Sequence, residues 1–287
     1  LCRCSYAGLD MSFRSDPQLA MIALRINHWC VSSIPATLWT SRDLVLTAVL
    51  CIGQHLQHAP LDLRADRGIV SAALVRAQFL GDHRGRKEAA ETFLGRWRYG
   101  QDNMRVLQHA APSLLSDRAI LLMALRHDLR DGSALQLAAP ELLTDKAFLL
   151  AAVRERGKCL QYTTNQFKAD ADVVLAAVES DYEALEFAAC HFRKCPKTVE
   201  AAVSFQARVC TRQTLQWQHS VFRFADEALK SDKKFVIHMM RKSKYIFPHA
   251  SKALRADKNL ALLALRRDGS ILRHCPDSLR ENRSTVM

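Results

Sequence analysis

The sequence predicts an all-α fold, a right-handed-type α-solenoid of about nine helical repeats of 25 residues each. Three observations predict it: a motif recurs at a fixed spacing, one small residue recurs at a single helical position, and apolar residues recur at the spacing of one helix face. Each repeat is expected to hold one longer helix plus one short helix or 3₁₀ element. Because such a pair cannot bury its apolar face alone, the repeats must stack.

The period is visible in the residues that open each repeat unit. If Asp145 is position zero, equivalent positions recur along the chain, and six of the nine intervals between them are 25 residues. The other intervals are 51, 28 and 37 residues, which places insertions at about 76–104 and 204–221. A sustained period is the sequence signature of a repeat architecture. The opening residues are Asp16, Ser41, Asp66, Asp117, Asp145, Asp170, Cys195, Asp232, Asp257 and Asn282.

The first half of each unit is predicted to be the longer helix. An Asp at position zero is a favourable N-cap, because its carboxylate accepts free amides of the first turn and its charge suits that end of the helix dipole. Position seven is Ala in eight of nine units, with Met239 as the exception, which indicates that another backbone passes close by. Gly157 and its equivalents at position twelve predict a left-handed C-cap. Ser41 and Asn282 are expected to cap, whereas Cys195 is a poor substitute.

The second half of each unit is shorter. It reads LQHAPLDL at 56–63 and LQLAAPEL at 135–142. A proline in the middle of this segment excludes one long uninterrupted helix. We therefore expect a short helix or a 3₁₀ turn that leads to the next N-cap.

These residues resemble the repeat family called domain of unknown function 4116. The resemblance rests on an Asp-led helix ending in AAV, then a Gly, then a leucine-led stretch, as in DKAFLLAAV…GKCLQYTTNQFKAD, and it covers residues 6–287. The family is prominent in protists, dinoflagellates especially, and has no established activity. The resemblance therefore implies a helical-repeat fold and no catalytic or cofactor residue.

Nothing in the sequence divides 1–287 into separate domains, so a single repeat array is expected. Residues 6–16 match the closing half of a unit, and 282–287 match the opening of another. The sequence therefore suggests a fragment cut within a repeat at both ends.

The net charge of +12 is concentrated at one end of the chain. Residues 1–190 balance 21 Lys and Arg against 21 Asp and Glu, whereas residues 191–287 hold 20 and 8. An acidic protein face, a nucleic acid or a lipid surface would suit this basic region. A solvated face of a basic repeat protein is the interpretation that the sequence favours, because aromatic residues are not interleaved as single-strand binders require.

The first insertion combines basic and aromatic residues. The segment KEAAETFLGRW at 87–97 has the pattern of an extra amphipathic helix, either a protrusion that binds a partner or a helix folded back on the array. Both insertions follow the longer helix, which predicts one common edge. The candidate partner-binding residues are Arg96, Trp97, Arg98, Tyr99, Arg193, Lys194, Lys197, Lys233, Lys234, Arg241, Lys242 and Lys244.

No metal, cofactor or catalytic site is predicted. The nine cysteines include no CxxC pair. Cys190 and Cys195, with His191 beside them, resemble a metal cluster most closely but are better explained as buried small hydrophobic residues. An odd cysteine count favours a reducing intracellular compartment, such as cytoplasm, nucleus or an organelle interior. No apolar run approaches the ~20 residues of a membrane span.

The sequence therefore predicts a non-catalytic scaffold for protein–protein interaction, or a structural subunit of a larger assembly. The alternative is a nucleic-acid-associated repeat protein that binds through residues 191–287. An enzyme domain outside this fragment is a third reading.

Overall fold

The computed structural model describes residues 6–79, 103–127, 131–209 and 220–281. Every regular element in these ranges is an α-helix or a 3₁₀-helix, and they contain no β-strand. The prediction of an all-α fold is therefore confirmed. The chain divides into two compact units, residues 1–148 and residues 149–287, and each is described by itself.

The longer helices begin directly after the opening residues, where the N-cap pattern predicts them. Most have eight to ten residues, and the two longest, with 13 and 14 residues, run into the two insertions. The longer helices are Pro17–Ile26, Arg42–Cys51, Arg67–Phe79, Arg118–Arg126, Lys146–Glu155, Ala171–Ser180, Pro196–Val209, Lys233–Lys242 and Lys258–Leu265.

The second half of a unit contains two elements, where the sequence predicted one. A 3₁₀ turn comes first and a short helix follows, with the proline near the start of the short helix, where its missing N–H costs no hydrogen bond. The turns are His28–Ser33, Gly53–His58, Ser133–Leu137, Gly157–Tyr162, Tyr182–Glu186, Val221–Phe224, Phe247–His249 and Gly269–His274, with the helix Asn103–His109 in the same place. The short helices are Met11–Arg14, Leu61–Arg64, Pro140–Leu143, Asn165–Lys168, Cys190–Lys194, Glu227–Ser231, Lys252–Arg255 and Asp277–Arg280, with the 3₁₀ turns Ala36–Thr40 and Pro112–Ser116 in equivalent places.

The predicted Asp caps are formed. Each opening Asp accepts the backbone N–H groups two and three residues later, as Asp232 does from Lys234 at 2.9 Å and Phe235 at 3.1 Å. Ser41 differs from the expectation, because its side chain makes no capping hydrogen bond. The other capping residues are Asp16, Asp66, Asp117, Asp145, Asp170 and Asp257.

Cys195 occupies a cap position without the capping carboxylate. Its backbone is extended, with φ −81° and ψ 116°, close to the values at Asp232 and Asp170. The amides of Thr198 and Lys197 face its sulfur, and the hydrogen bond from Thr198 is the largest cause that lowers the pKa of the thiol. The helix Pro196–Val209 thus starts at the predicted residue on a weaker cap.

Replacing this thiol by a carboxylate should strengthen the helix start. We expect Cys195→Asp to raise the free energy of unfolding by about 0.5–1 kcal/mol, because a carboxylate is a better acceptor for the same amides. Urea unfolding measures the change. Cys190→Asp is the matched control, since Cys190 is exposed inside a short helix whose N-cap is Ala189, and it should change stability by less than about 0.5 kcal/mol. Equal effects of the two substitutions would contradict the cap.

Ion pairs join consecutive caps in the described residues. The residue after one cap pairs with the carboxylate of the next, as Arg42 does with Asp66 at 2.9 Å and Arg67 with Asp117 at 3.1 Å. Arg118 with Asp145 and Lys233 with Asp257 repeat the contact. The basic partners are 47–62% exposed, so each pair contributes at most about 1 kcal/mol. The caps Asp170 and Cys195 cannot be joined in this way. Cys195 offers no carboxylate, and the residue after Asp170 is the uncharged Ala171.

Gly157 of one repeat lies against the backbone of the next repeat at Ala177. A Cβ atom added to Gly157 would lie 2.3 Å from the carbonyl oxygen of Ala177 and 2.8 Å from the Cβ of Asp181. The prediction of a left-handed C-cap at this position is wrong, because Gly132 is the one described glycine with positive φ. Position 157 instead has no room for a side chain, because the backbone of the helix Ala171–Ser180 passes beside it. Ala177 is fully buried, as a close backbone approach at position seven predicts.

Candidate functional site

A group of basic residues surrounds the caps of the last three longer helices, in the compact unit 149–287. Six of its members, all lysines, are exposed, and Lys230 and Arg255 are half-buried. The equivalent cap at Asp170 is flanked by fewer cations and by the carboxylate of Asp172. We call this group the basic cap edge: Lys194, Lys197, Lys230, Lys233, Lys234, Lys252, Arg255 and Lys258.

Backbone hydrogen bonds place these residues side by side. The N–H of Asp226 donates to the carbonyl of Arg193, and the N–H of Ser251 donates to the carbonyl of Lys230, each at 3.0 Å. These bonds connect the short helices Cys190–Lys194, Glu227–Ser231 and Lys252–Arg255 in order. Each short helix leads into the cap of a longer helix, so the cations before and after the three caps share one edge.

Part of this charge is already neutralised within the edge. Lys233 pairs with Asp257 and lowers the pKa of that carboxyl group. Arg255 donates from Nε to the carbonyl of Ala250 at 3.1 Å. The carboxylate of Asp232 is occupied by two backbone amides. The carboxylates of Asp232 and Asp257 are therefore already engaged in contacts within the fold.

Four lysines of the edge remain available to a partner. Lys194, Lys197, Lys234 and Lys252 are exposed, and none has an ion pair among the described residues. Lys197 and Lys234 both lie at the second helical position, one unit apart. Since the opening residue between Lys194 and Lys197 is Cys195 and not Asp, no capping carboxylate offsets their charge. The repeat opened by Cys195 therefore presents Lys194 and Lys197 without an acidic cap between them.

Arg193 has a structural role in the same region. Its carbonyl accepts the N–H of Asp226, its side chain is half-buried, and its Nε atom is buried without a hydrogen bond. A buried guanidinium group of this kind contacts the protein more than the solvent. We therefore assign Arg193 to the structure of the edge and not to its exposed surface.

The remaining predicted cations lie at the other end of their helix. Arg241 and Lys242 end the helix Lys233–Lys242, whose ten residues span about 15 Å. Lys242 donates from Nζ to Glu200 at 2.6 Å and to Ser204 at 2.9 Å. Lys244 pairs with Asp268 at 2.7 Å. These two lysines thus serve contacts between helices, and Arg241 is exposed beside the negative end of the helix dipole.

Two carboxyl groups that contact Lys242 or Lys244 have lowered pKa values. A hydrogen bond from Lys244, with help from Ser270, lowers the pKa of Asp268 to about 2. Hydrogen bonds from His238 and then Lys242 lower the pKa of Glu200. His238 lies 3.0 Å from Glu200 and joins the longer helices on either side of the second insertion. Glu200, His238 and Lys242 therefore connect the two longer helices that flank the second insertion.

The structure brings together some of the residues predicted from the sequence and separates others. Lys194, Lys197, Lys233 and Lys234 lie on the basic cap edge, whereas Arg241, Lys242 and Lys244 do not. The candidate residues chosen from the sequence did not include Lys230, Lys252, Arg255 and Lys258. A signal was available for three of them, because Lys230 and Arg255 each lie two residues before a capping Asp and Lys258 lies one residue after it, as Lys233 does. Arg96, Trp97, Arg98 and Tyr99 lie outside the described residues, as does most of both insertions.

Other kinds of site were sought in the described residues. They contain no group of three or more His, Cys, Asp or Glu side chains arranged to hold a metal ion, and Cys190, His191 and Cys195 form none. The prediction that these cysteines are buried is wrong, because Cys190 is exposed on its short helix and Cys195 is half-buried at a helix start. A shallow groove runs between the helices Lys146–Glu155 and Ala171–Ser180, with Leu175 flanked by Arg154 and Glu179. No described helix has the length and apolar composition needed to span a membrane.

Comparison with known proteins adds a family resemblance. Residues 145–189 and 214–255 match the model of the family described as Domain of unknown function (DUF4116). The matched segments include five of the eight residues of the basic cap edge, Lys230, Lys233, Lys234, Lys252 and Arg255, whereas Lys194, Lys197 and Lys258 lie outside them. No curated protein matches the chain, and no solved structure matches it.

Proposed function

We propose that this chain is a non-catalytic scaffold, an α-solenoid of about nine 25-residue repeats that binds a protein partner. The partner docks an acidic surface on the basic cap edge. The observation that supports this proposal is the set of four exposed, unpaired lysines: Lys194 and Lys252 on short helices, and Lys197 and Lys234 at the starts of longer helices. Stacked repeats provide extended surfaces of this kind.

Geometry favours a folded acidic surface as the partner. The cations project from helix ends that are held in register by backbone hydrogen bonds, so their spacing is fixed before binding. A preorganised surface loses less conformational entropy when it binds. Electrostatic complementarity then contributes mainly to the rate and specificity of association.

Nucleic acid is the second candidate, because the same lysines could neutralise phosphates. The absence of exposed aromatic side chains in the described part of 191–281 weighs against it, since single-strand binders stack bases on aromatic rings. Salt dependence separates the two candidates. A chain that neutralises four to six phosphates of a duplex should show a slope of about −4 to −5 in log K against log salt concentration.

The decisive experiment compares two charge-reversal variants of the 287-residue chain. The edge variant carries Lys194→Glu, Lys197→Glu and Lys234→Glu, and the control carries Arg241→Glu, Arg266→Glu and Arg208→Glu, which are equally exposed cations away from the edge. Each protein is used to capture partners from native lysate after nuclease treatment. We expect proteins that the wild type and the control retain and the edge variant loses, with at least a tenfold weaker Kd for any purified partner.

Two results would contradict the proposal. Identical partners for the edge variant and the control would remove the basic cap edge as the docking surface. Partners that vanish with nuclease, together with steeply salt-dependent binding of a duplex oligonucleotide, would favour the nucleic-acid alternative.

A further inference from the structure

Flat side chains recur at one position of the repeat, eight residues before the next opening residue. We call this the ring position. Its side chains are half-buried, except that of His58, which is exposed. Since histidine and phenylalanine share the ring position, it suits a flat side chain that carries no charge. Residues at this position include His58, His109, Phe187, Phe224, His249 and His274.

The ring position of one repeat unit meets a particular residue of the preceding unit, two residues before its opening residue. The ring of His58 lies 5.0 Å from the ring of Trp39, centroid to centroid, and Trp39 stands two residues before Ser41. One unit later, the N–H of Ala111 donates to the carbonyl of Arg64 at 3.0 Å. This bond brings the ring position at 109 close to Arg64. The ring position therefore belongs to the contact between neighbouring repeat units.

At His109 the residue contributed by the preceding unit is an arginine. Arg64 is half-buried, and its Nε atom is buried without a hydrogen bond. Burial first, and then the charge of Arg64, lowers the pKa of His109. Burial and then His109 lower the pKa of His58 in the same way. The titratable groups that act on these two rings are thus basic, and a proton on either ring adds to a positive charge.

The same arrangement recurs at His274, in the compact unit 149–287. Arg255 of the preceding repeat unit donates from Nε to the carbonyl of Ala250 at 3.1 Å, which holds its side chain within the fold. Arg273 donates from Nε to Nε2 of His274 at 3.2 Å. A ring nitrogen accepts a hydrogen bond only when it carries no proton. Burial first, and then the charges of Arg273, Arg255 and His249, lower the pKa of His274.

We propose that His109 and His274 make the contacts between repeat units acid-sensitive, so that these contacts hold at neutral pH and loosen in mild acid. A neutral ring sits beside Arg64 or Arg255 without repulsion, as phenylalanine would at the same position. A protonated ring places two cations together in a half-buried contact, and at His274 it also loses the hydrogen bond from Arg273.

The direction of the effect follows from proton binding. Both rings have a pKa below the ordinary histidine value of about 6.5 in the folded chain, so between that value and the lowered one the unfolded chain binds more protons. The stability that the neutral rings provide is therefore fully present above about pH 6.5 and is lost as the pH falls through the lowered pKa. Histidine is the side chain suited to such a change near neutral pH.

The experiment is urea unfolding of the 287-residue chain at about pH 7.5 and about pH 5.5, which gives the folding equilibrium constant at each pH. We expect the wild-type constant to fall, and His109→Phe and His274→Phe each to remove up to about tenfold of that fall. His191→Phe is the matched control, because His191 is exposed on the short helix Cys190–Lys194. Arg64→Met is the second test at His109, since it removes the charge, leaves the ring in place and should also reduce the fall.

Three results would overturn the proposal. The first is a fall of the same size in wild type and in both phenylalanine variants. The second is an equal reduction by His191→Phe, because any histidine would then have the effect. The third is an unchanged fall in Arg64→Met, which would remove the repulsion between Arg64 and His109. None of these variants changes a lysine of the basic cap edge, so the outcome is independent of the proposed function.

Discussion

Replacing Gly157 by alanine should be among the most damaging single-methyl changes in this chain. The added Cβ would lie 2.3 Å from the carbonyl oxygen of Ala177 and 2.9 Å from the backbone nitrogen of Asp181. Both contacts involve backbone, so no side chain can rotate away to relieve them. We expect the free energy of unfolding to fall by about 3 kcal/mol, at the upper end of overpacking costs. The midpoint of urea unfolding measures this loss, with the m value unchanged.

Gly269 provides a matched control at the same position of a later unit. Its added Cβ would meet no atom within 4 Å, and its φ is not positive. Gly269→Ala should therefore leave stability unchanged or raise it by about 0.4–1 kcal/mol, because alanine restricts the unfolded chain. Similar losses at both glycines would show that the cost comes from the local backbone and not from the neighbouring helix.

Ala177→Leu tests the predicted need for a small side chain at position seven of the same helix. Ala177 is fully buried on the helix Ala171–Ser180, which packs against the turn Gly157–Tyr162. Because the position is fully buried, the larger side chain would overpack it, and we expect a loss of about 1–3 kcal/mol. Thermal and urea unfolding of the purified variant give the value.

The adjacent residue supplies the control for this substitution. Ala176 is half-buried and borders the open groove beside Leu175. Ala176→Leu adds the same atoms on the same helix and should cost less than about 0.5 kcal/mol. If the two leucines destabilise equally, helix propensity and not the close approach sets the cost.

These predictions explain why some sequence signals were read correctly and others were not. The Asp caps could be predicted because an N-cap depends on residues two and three positions away. The glycine at position twelve could not be assigned from the sequence alone. A left-handed turn and a close approach both require the absence of a Cβ atom, and only the position of Ala177 distinguishes them.

The candidate surface divides in the same way. The excess of lysine after residue 190 is a property of the sequence, and Lys194, Lys197, Lys233 and Lys234 were identified from it. The ion pair between Lys233 and Asp257 and the contacts of Lys242 with Glu200 join residues 24 to 42 positions apart. Composition does not show which cations form such ion pairs, so the sequence could not distinguish unpaired lysines from paired ones.

The sequence by itself determined the all-helical fold, the start of each longer helix and the small residues where helices approach, because short-range hydrogen bonds and helical periodicity encode them. The tertiary structure decided the remaining features. It placed two elements in the second half of a unit, joined the caps by ion pairs, gathered Lys252 and Lys258 beside Lys234, and brought Arg64 close to His109. Each of these depends on which residues of other units lie nearby, and contacts between units are set by packing in three dimensions.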